Sequence, residues 1–202
     1  MTFVRERGYM HAPAYYGRDD AGRDVFEFLD GAAGSRHPTF QSDRACFQAG
    51  TLIRQLHDLT AGSDLAGAEE CVLHGDAGPI IAVFNDGVPT AFIDWDFARP
   101  GCRLADVGYM AWQWCIDADR DDDLTAERRR LTSLLAGYDR YRAADVVPAM
   151  IATERHEVAY ARQRQLTART ERQRQASEEA LSWASYCLAR TIRHQNWFAT
   201  AR

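Results

Sequence analysis

The chain changes from strand-like to helical patterning at Ser42. Residues 12–17 (APAYYG) and 24–29 (DVFEFL) are rich in aromatic and other apolar side chains, and the RDDAGR between them consists of turn formers. This pattern predicts an antiparallel hairpin. The DGAAGSRHPT that follows it, residues 30–39, is predicted to be a loop.

An amphipathic helix is predicted from Ser42 to the TAGSD at residues 60–64. Its apolar positions follow helical spacing and define one buried face: Ala49, Leu52, Ile53, Leu56 and Leu59. Gly62 is placed to end this helix in a left-handed conformation. For His57 on the same helix, a surface or packing position is the preferred interpretation over a functional one.

Residues 71–97 return to strand-like patterning. The runs IIAVF and TAFIDW flank NDGVP, in which Asn-Asp-Gly is a strong signal for a tight turn. Asp76 lies just before the first strand and Asp94 near the end of the second, so a hairpin should bring both carboxylates to the same end. Two distant carboxylates brought together predict a functional site.

The chain is predicted to be helical after Pro100. Four helices are expected, over residues 104–116, 125–142, 147–173 and 176–198. The Arg- and Gln-rich stretch at residues 161–175 has a weak apolar face. A nucleic-acid surface and a solvated helix face are both possible there, and interspersed glutamates favour the solvated face.

Composition limits the function classes. The chain has 202 residues, 46% of them hydrophobic, which suits one domain, with or without a small appendage. A net charge of -5 is atypical of a nucleic-acid binder. No apolar run is long enough to cross a membrane and no signal core is present, so we expect a cytoplasmic protein.

The basic and sulfur-containing residues narrow the chemistry further. The five cysteines form no C-x-x-C pair, so we expect reduced thiols, several of them in the core. All 24 basic residues are arginine. Any reaction that needs a lysine amine is therefore excluded.

Three motifs resemble one family. HGDAGPII, FIDWDFARPG and LADVGYMAW occur in this order, with Asp94 placed 18 residues after Asp76 and Asp106 opening a helix. Together they resemble the aminoglycoside phosphotransferase and choline kinase-like family, over most of the chain. The resemblance implies an α+β, protein-kinase-like fold with a mostly helical C-terminal lobe and a truncated β-rich N-terminal lobe.

The resemblance also implies roles for individual residues. Asp76 would be the catalytic base, and His74 would orient its loop. Asp94 would bind Mg²⁺ beside the phosphates of ATP, with Asp96 and Asp106 as supporting groups. Each of these residues taken singly also has a structural explanation, such as a turn cap or a core histidine, but the ordered spacing favours a site.

The chain departs from the family pattern at two places. Kinase-like loops carry a metal-binding asparagine five positions after the catalytic Asp, where this chain has Ile81, and Asn85 lies too far along the strand to replace it. The glycine-rich loop and basic residue that cover the triphosphate are also missing, so ATP binding should be weak. Either the true start lies upstream or the protein is truncated.

These features lead to the following expectations. Residues 1–34 would be a remnant of the N-terminal lobe and hinge, and residues 35–202 the helical lobe with the catalytic-loop hairpin. The chain would be an impaired ATP- and Mg-dependent phosphotransferase acting on a small-molecule hydroxyl, aminoglycoside-like or an amino alcohol. The alternative is a non-catalytic binding module for a small molecule or a protein.

Two further features bear on partners. The acidic run DADRDDD at residues 117–123 suits a polycationic acceptor, although a solvated loop is the preferred interpretation. An incomplete N-terminal sheet would expose a strand edge and favour self-association. No nucleic acid or membrane partner is expected.

Overall fold

The computed structural model describes residues 1–35, 38–116 and 124–201. The helices are α1 (Thr2–Glu6), α2 (Asp43–Thr60), α3 (Arg103–Met110), α4 (Leu124–Tyr138), α5 (Ala143–Thr167) and α6 (Glu171–Ala199). The strands are β1 (Tyr15–Arg18), β2 (Asp24–Phe26), β3 (Ala32–Ala33), β4 (Cys71–Leu73), β5 (Ala82–Asn85), β6 (Val88–Phe92) and β7 (Arg99–Gly101). The acidic run at 117–123 lies outside the described residues.

The predicted N-terminal hairpin is confirmed, with shorter strands. β1 and β2 pair antiparallel, with Tyr15 opposite Phe26. The predicted loop at 30–39 is wrong in part, because Ala32 and Ala33 form β3 and pair antiparallel with β5. Two alanines carry too little side chain for a strand pattern to be visible in the sequence.

The second hairpin is confirmed at its turn and corrected at its start. Asp86 and Gly87 both have positive φ, at 50° and 72°, as a tight hairpin turn requires. The apolar run IIAVF is not all strand, since Pro79–Ile81 forms a 3₁₀ turn and β5 begins at Ala82. Pro79 has no N–H to donate to a strand partner and suits the first position of a helical turn.

The helical part follows the predicted order with shifted ends. Ser42 caps α2, its side chain accepting the N–H of Ala45 at 3.1 Å. The predicted third helix is wrong at its C-terminus, because α5 ends at Thr167 and Thr170 caps the start of α6. The Arg- and Gln-rich stretch is therefore split between two helices that pack against each other.

One hydrophobic core joins the helices to the open end of the β5–β6 hairpin, where Ala82 lies opposite Phe92, and to the N-terminal segment. Val4, Tyr9 and Ala12 are buried in the same core as the helical lobe. All five cysteines are free and four are buried, which confirms the expectation of reduced core thiols. Among the described residues, no helix is long and apolar enough to cross a membrane.

One core carboxyl group lies between three helices. Glu154 of α5 is fully buried, and its Oε1 accepts a hydrogen bond from the Thr191 hydroxyl at 2.8 Å. Its Oε2 has no hydrogen-bond partner among the described residues. Burial raises the pKa of Glu154 to about 8; the Thr191 bond opposes this rise, and the charge of nearby Glu127, which pairs with Arg190 at 3.0 Å, adds to it.

Glu154 should make the folded state less stable as the pH rises. Its folded pKa lies above the unfolded value, so its contribution is complete below about pH 4.5 and is lost as the pH rises to about 8. We expect the free energy of unfolding to fall by on the order of 1 kcal/mol per pH unit between these limits from this group. Urea unfolding of wild type and Glu154→Gln from pH 5 to 9 measures the difference, with exposed Glu69→Gln as control. Parallel pH profiles for all three proteins would contradict this prediction.

Candidate active site

The predicted catalytic loop, residues 74–78, follows β4 and crosses the segment that follows Asp94. β4 pairs antiparallel with β7, with Leu73 opposite Arg99. Gly75 has a φ of 83°, and a Cβ added there would lie 2.4 Å from the carbonyl oxygen of Phe97. Because only glycine tolerates both conditions, Gly75 allows the two segments to touch.

Asp106 holds the backbone of this loop. Its two carboxylate oxygens accept the N–H groups of His74 at 2.7 Å and Gly75 at 2.9 Å. Burial alone would raise the pKa of Asp106, but hydrogen bonds from His57 and these two amides outweigh it and keep the pKa below its usual value. Asp106 is therefore an ionised, buried acceptor, and the structure gives it contacts of the kind that a supporting group needs.

His57 is a buried partner of Asp106 and is not on the helix surface. Its Nε2 lies 3.1 Å from Asp106 Oδ2, and its Nδ1 lies 2.8 Å from the Tyr138 hydroxyl. The preferred interpretation of His57 is right about packing and wrong about a surface position. Its place four residues after Ile53, on the apolar face of α2, was the available signal.

Asp76 lies half-buried in the loop and contacts Tyr109 of α3. The Tyr109 hydroxyl donates a hydrogen bond to Asp76 Oδ1. Burial raises the pKa of Asp76; the Tyr109 bond opposes this, and the charges of Asp94 and Asp106 add to the rise. Asp94 is thus close enough to Asp76 to act on its titration, as the predicted shared end of the hairpin requires.

Asp94 lies two residues beyond β6 in a left-handed turn, with a φ of 58°, and its side chain is exposed. Asp96 is also exposed, and it makes no hydrogen bond or ion pair with the described residues. The structure therefore gives Asp94 an open position beside the loop. It gives Asp96 no contact through which to order that loop.

His74 is a buried packing residue. Its ring centroid lies 4.4 Å from that of Trp95, and its Nδ1 is 3.4 Å from the N–H of Asp76. Burial lowers the pKa of His74 to about 4, so the ring is neutral near pH 7. These contacts suit the predicted role of orienting the loop rather than carrying charge.

Ile81 lies at the end of the 3₁₀ turn and is half-buried against the core. Its carbonyl accepts the N–H of Ile93 at 2.9 Å, one residue before Asp94. The backbone of Ile81 thus lies beside the segment that carries Asp94. Its aliphatic side chain has no atom that can bind a metal.

A π-helical segment, Ala111–Cys115, supports the other side of the loop. The Trp114 indole N–H donates to the carbonyl of Ala77 at 2.8 Å, and the carbonyl of Gln113 accepts from Gln41 Nε2 at 2.9 Å. A wider helical turn frees backbone groups and shifts the side chains that follow it. α3 and its π-helical continuation therefore position the loop through both Tyr109 and Trp114.

Glu157 of α5 adds to the negative charge around Asp76. Burial raises the pKa of Glu157; the neighbouring His156 opposes this, and the charge of Asp76 adds to the rise. Burial and a nearby negative charge therefore raise the pKa of both Asp76 and Glu157. The surroundings of Asp76 include Asp94, Asp106 and Glu157, which makes this region electronegative.

A magnesium ion at this site would have Asp94 as its protein ligand and would take its other ligands from water and phosphate oxygens. Among the described residues, no cluster of three or more His, Cys, Asp or Glu side chains is arranged to hold a metal. Mg²⁺ usually takes one or two protein carboxylates and completes its shell with water and phosphate oxygens. Asp94 suits that arrangement, whereas an all-protein metal cage does not fit.

Sequence reasoning missed Tyr109 and the supporting π-helical segment. Tyr109 follows Asp106 by three positions on a helix, so both side chains lie on neighbouring parts of one face. That spacing was a usable signal once Asp106 had been placed at the loop. The π-helical turn has no comparable signal in the sequence.

The small antiparallel sheets, the helical C-terminal lobe and the loop held by Asp106 define a protein-kinase-like fold. A solved choline/ethanolamine kinase family protein from Mesorhizobium loti matches 95% of this chain and 79% of its own, with a TM-score of 0.66 and 14% identity. A streptomycin–ATP–APH(2″)-IIa ternary complex matches 92% of this chain and 80% of its own, with a TM-score of 0.58 and 12% identity. The predicted kinase-like fold is confirmed.

Sequence comparison agrees with the fold. A family model described as the phosphotransferase enzyme family (APH) matches residues 63–144, which include Asp76, Asp94 and Asp106. The trifolitoxin immunity protein of Rhizobium leguminosarum bv. trifolii is 29% identical over 150 residues, 66% of this chain and 56% of that protein. The chain thus spans about half the length of this curated relative. The resemblance predicted from the three motifs is confirmed.

Proposed function

We propose that this chain is a phosphotransferase-type protein that transfers a phosphoryl group from ATP to the hydroxyl of a small, positively charged molecule, and that its turnover is slow. The observation that carries the proposal is the assembly around Asp106. Asp106 fixes two amides of the loop, and Tyr109 on the same helix contacts Asp76. A carboxylate held in this way is suited to orient a hydroxyl group.

Asp76 would act as the base. As the acceptor oxygen forms its bond to the γ-phosphorus, its proton passes to Asp76, and the bond from that phosphorus to the β–γ bridging oxygen breaks to release ADP. The raised pKa of Asp76 makes it a better proton acceptor than an ordinary exposed aspartate. Mg²⁺ held at Asp94 would neutralise phosphate charge when it is bound.

The charge around Asp76 favours a cationic acceptor. The charges of Asp94 and Asp106 raise the pKa of Asp76, and the charge of Asp76 raises the pKa of Glu157. All four groups are negative when ionised. An ammonium group near the reacting hydroxyl would be attracted to this region. Amino alcohols and aminoglycosides have that chemistry, and similar solved structures include a choline/ethanolamine kinase family protein and an enzyme with bound streptomycin.

Three features of the sequence point to weak nucleotide binding and slow turnover. The chain has no lysine and no G-x-G-x-x-G motif, and it has Ile81 five positions after Asp76, where the kinase-like loops it resembles carry a metal-binding asparagine. Each preorganised charge or donor in a transferring site usually contributes a few kcal/mol to the transition state. Their absence motivates the expected impairment.

Mg-ATP should bind with a dissociation constant on the order of 1 mM or weaker. Ile81→Asn should tighten binding several-fold, because the amide oxygen would offer a ligand beside the Asp94 segment. Titration calorimetry of both proteins with Mg-ATP measures the change.

The matched control for that titration is Ile80→Asn, since Ile80 is the preceding residue and is 50% exposed. Micromolar binding by the wild type would show that another group holds the phosphates. Equal affinities for the Ile81→Asn and Ile80→Asn proteins would show that position 81 does not face a metal. A panel of amino alcohols and aminoglycosides, assayed for ATP-dependent phosphorylation, tests the transfer itself.

A binding protein without catalysis is the second candidate. It is favoured by the trifolitoxin immunity protein, a similar chain whose name describes immunity. Acceptor binding in calorimetry, together with no phosphorylated product after prolonged incubation with Mg-ATP, would favour this candidate. The predicted cytoplasmic location and the absence of a nucleic-acid partner stay predictions.

A further inference from the structure

Asp94 has a backbone conformation that its own side chain does not explain. Its φ of 58° lies in the left-handed region, where a residue that carries a Cβ is strained. Aspartate adopts this region most readily when its carboxylate bonds to a nearby backbone group. The Asp94 side chain is exposed and makes no hydrogen bond with the described residues. Strain of this kind persists where the surrounding structure imposes it, and it often marks a functional site.

The left-handed conformation decides which side chain faces the core. Side chains alternate along a strand, so an extended residue 94 would share the face of Phe92, which is fully buried. The observed turn breaks this alternation after β6. Trp95 packs against the core instead, and the Asp94 carboxylate stays exposed.

The residues on either side of Asp94 are held in place. Before it, the N–H of Ile93 donates to the carbonyl of Ile81 at 2.9 Å. After it, the indole N–H of Trp95 donates back to the carbonyl of Phe92 at 3.0 Å. Because this bond joins two residues only three positions apart, the chain turns between them, and Asp94 lies within the turn.

Two aromatic contacts hold the Trp95 ring. Its centroid lies 4.4 Å from that of buried His74 and 6.3 Å from that of buried Tyr9, the second pair being edge to face. The Tyr9 hydroxyl in turn donates to the carbonyl of Leu52 in α2 at 3.2 Å. Trp95 therefore contacts both the candidate catalytic loop and the N-terminal segment.

We propose that Trp95 is the positioning residue for Asp94. The indole, fixed by its hydrogen bond and its two ring contacts, imposes the left-handed conformation on Asp94 and keeps the carboxylate beside the loop that carries Asp76. The inference rests on the proposed function only where it assigns a metal ion to Asp94. The control of the backbone at residue 94 can be tested without metal or nucleotide.

A double-mutant cycle on stability tests this control. Glycine adopts positive φ without strain, so Asp94→Gly relieves the strain only while Trp95 imposes it. In a Trp95→Leu background, residue 94 is free to relax. The effect of Asp94→Gly on the unfolding equilibrium constant should therefore be about fivefold more favourable with Trp95 than with Leu at position 95. The flexibility that glycine adds to the unfolded chain is the same in both backgrounds and cancels. Urea unfolding of the four proteins at pH 7 measures the difference.

Asp86→Gly is the matched control for the cycle. Asp86 has a φ of 50° at the far end of the β5–β6 hairpin, so its replacement should have the same effect in both backgrounds. Trp95→Phe, which keeps a ring but loses the indole N–H, is the milder second background if Trp95→Leu does not fold, and its coupling should be about twofold. Equal effects of Asp94→Gly in both backgrounds would overturn the proposal, as would a coupling of the same size at Asp86.

Binding of Mn²⁺ in the presence of ADP, followed by water-proton relaxation, tests the positioning role. Trp95→Leu should weaken Mn²⁺ binding about tenfold, and Trp95→Phe should restore part of it. Trp197→Leu makes the same change at a tryptophan that is 42% exposed on α6, and should bind as the wild type does. Equal affinities for the wild type and Trp95→Leu would overturn the positioning role. If the wild type bound no Mn²⁺ while the stability cycle showed its coupling, the metal site of the proposed function would be wrong and the control of residue 94 by Trp95 would be supported.

Discussion

Replacing Asp76 by asparagine should lower the rate of phosphoryl transfer by about 10²–10⁴-fold, the usual contribution of a positioned base. The amide cannot take the proton of the acceptor hydroxyl, although it can still accept the hydrogen bond from Tyr109. The KM for the acceptor should therefore change much less than kcat. Single-turnover measurements with saturating Mg-ATP separate the two.

The matched control is Asp86→Asn, which makes the same change in the turn at the far end of the β5–β6 hairpin. Asp86 has a φ of 50°, a conformation that asparagine adopts readily, so this variant should fold and keep the wild-type rate. If Asp76→Asn transferred phosphate as fast as Asp86→Asn, Asp76 would not be the base. The base would then be another carboxylate.

The pH dependence of the transfer rate is a second test of Asp76 as the base. The base must be ionised to act, so the rate should fall as the pH is lowered through the raised pKa of Asp76. Tyr109→Phe removes a hydrogen bond that lowers this pKa, and should therefore move the acidic limb of the profile to higher pH. A merely structural role for Tyr109 would lower the rate equally at all pH values.

The turns, the helix order and the spacing of the acidic residues were predictable from local sequence. Asn85-Asp86-Gly87 specifies a tight turn because two of its residues adopt positive φ. The α2 face was visible because its apolar residues recur with helical spacing and Ser42 can cap the first turn. These features depend on residues that are close together in the chain.

Contacts between distant segments were less predictable. Tyr109 reaches Asp76 across 33 positions, and His57 reaches Asp106 across 49, so neither pairing appears in any local pattern. The start of β5 was misplaced because an apolar run has the same appearance in a buried strand and in a packed 3₁₀ turn. Glu154 gave no signal, since a buried carboxyl group looks like any other polar helix position.

Loss of the Asp106 carboxylate should destabilise the protein strongly. Its carboxylate accepts two backbone N–H groups and contacts His57 in a site closed to water. Asp106→Asn replaces one acceptor oxygen with an NH₂ group, which cannot accept from either amide. We expect a loss of about 3–5 kcal/mol in the free energy of unfolding, the usual cost of removing one partner from a buried, charged network.

Urea unfolding at pH 7 measures this loss, and Asp96→Asn is the matched control. Asp96 is exposed and without partners among the described residues, so its substitution should change the free energy of unfolding by less than about 0.5 kcal/mol.

The lowered pKa of Asp106 gives a second test, based on pH. Hydrogen bonds keep the Asp106 carboxyl ionised in the folded protein, so its folded-state pKa lies below its unfolded-state pKa. The stability that this difference contributes is complete above the unfolded-state pKa and is lost as the pH falls through the folded-state pKa. The gap between wild type and Asp106→Asn should therefore narrow below about pH 4. A gap that is constant from pH 7 to pH 3, or an Asp96→Asn protein as unstable as Asp106→Asn, would show that the loop is not held by the Asp106 carboxylate.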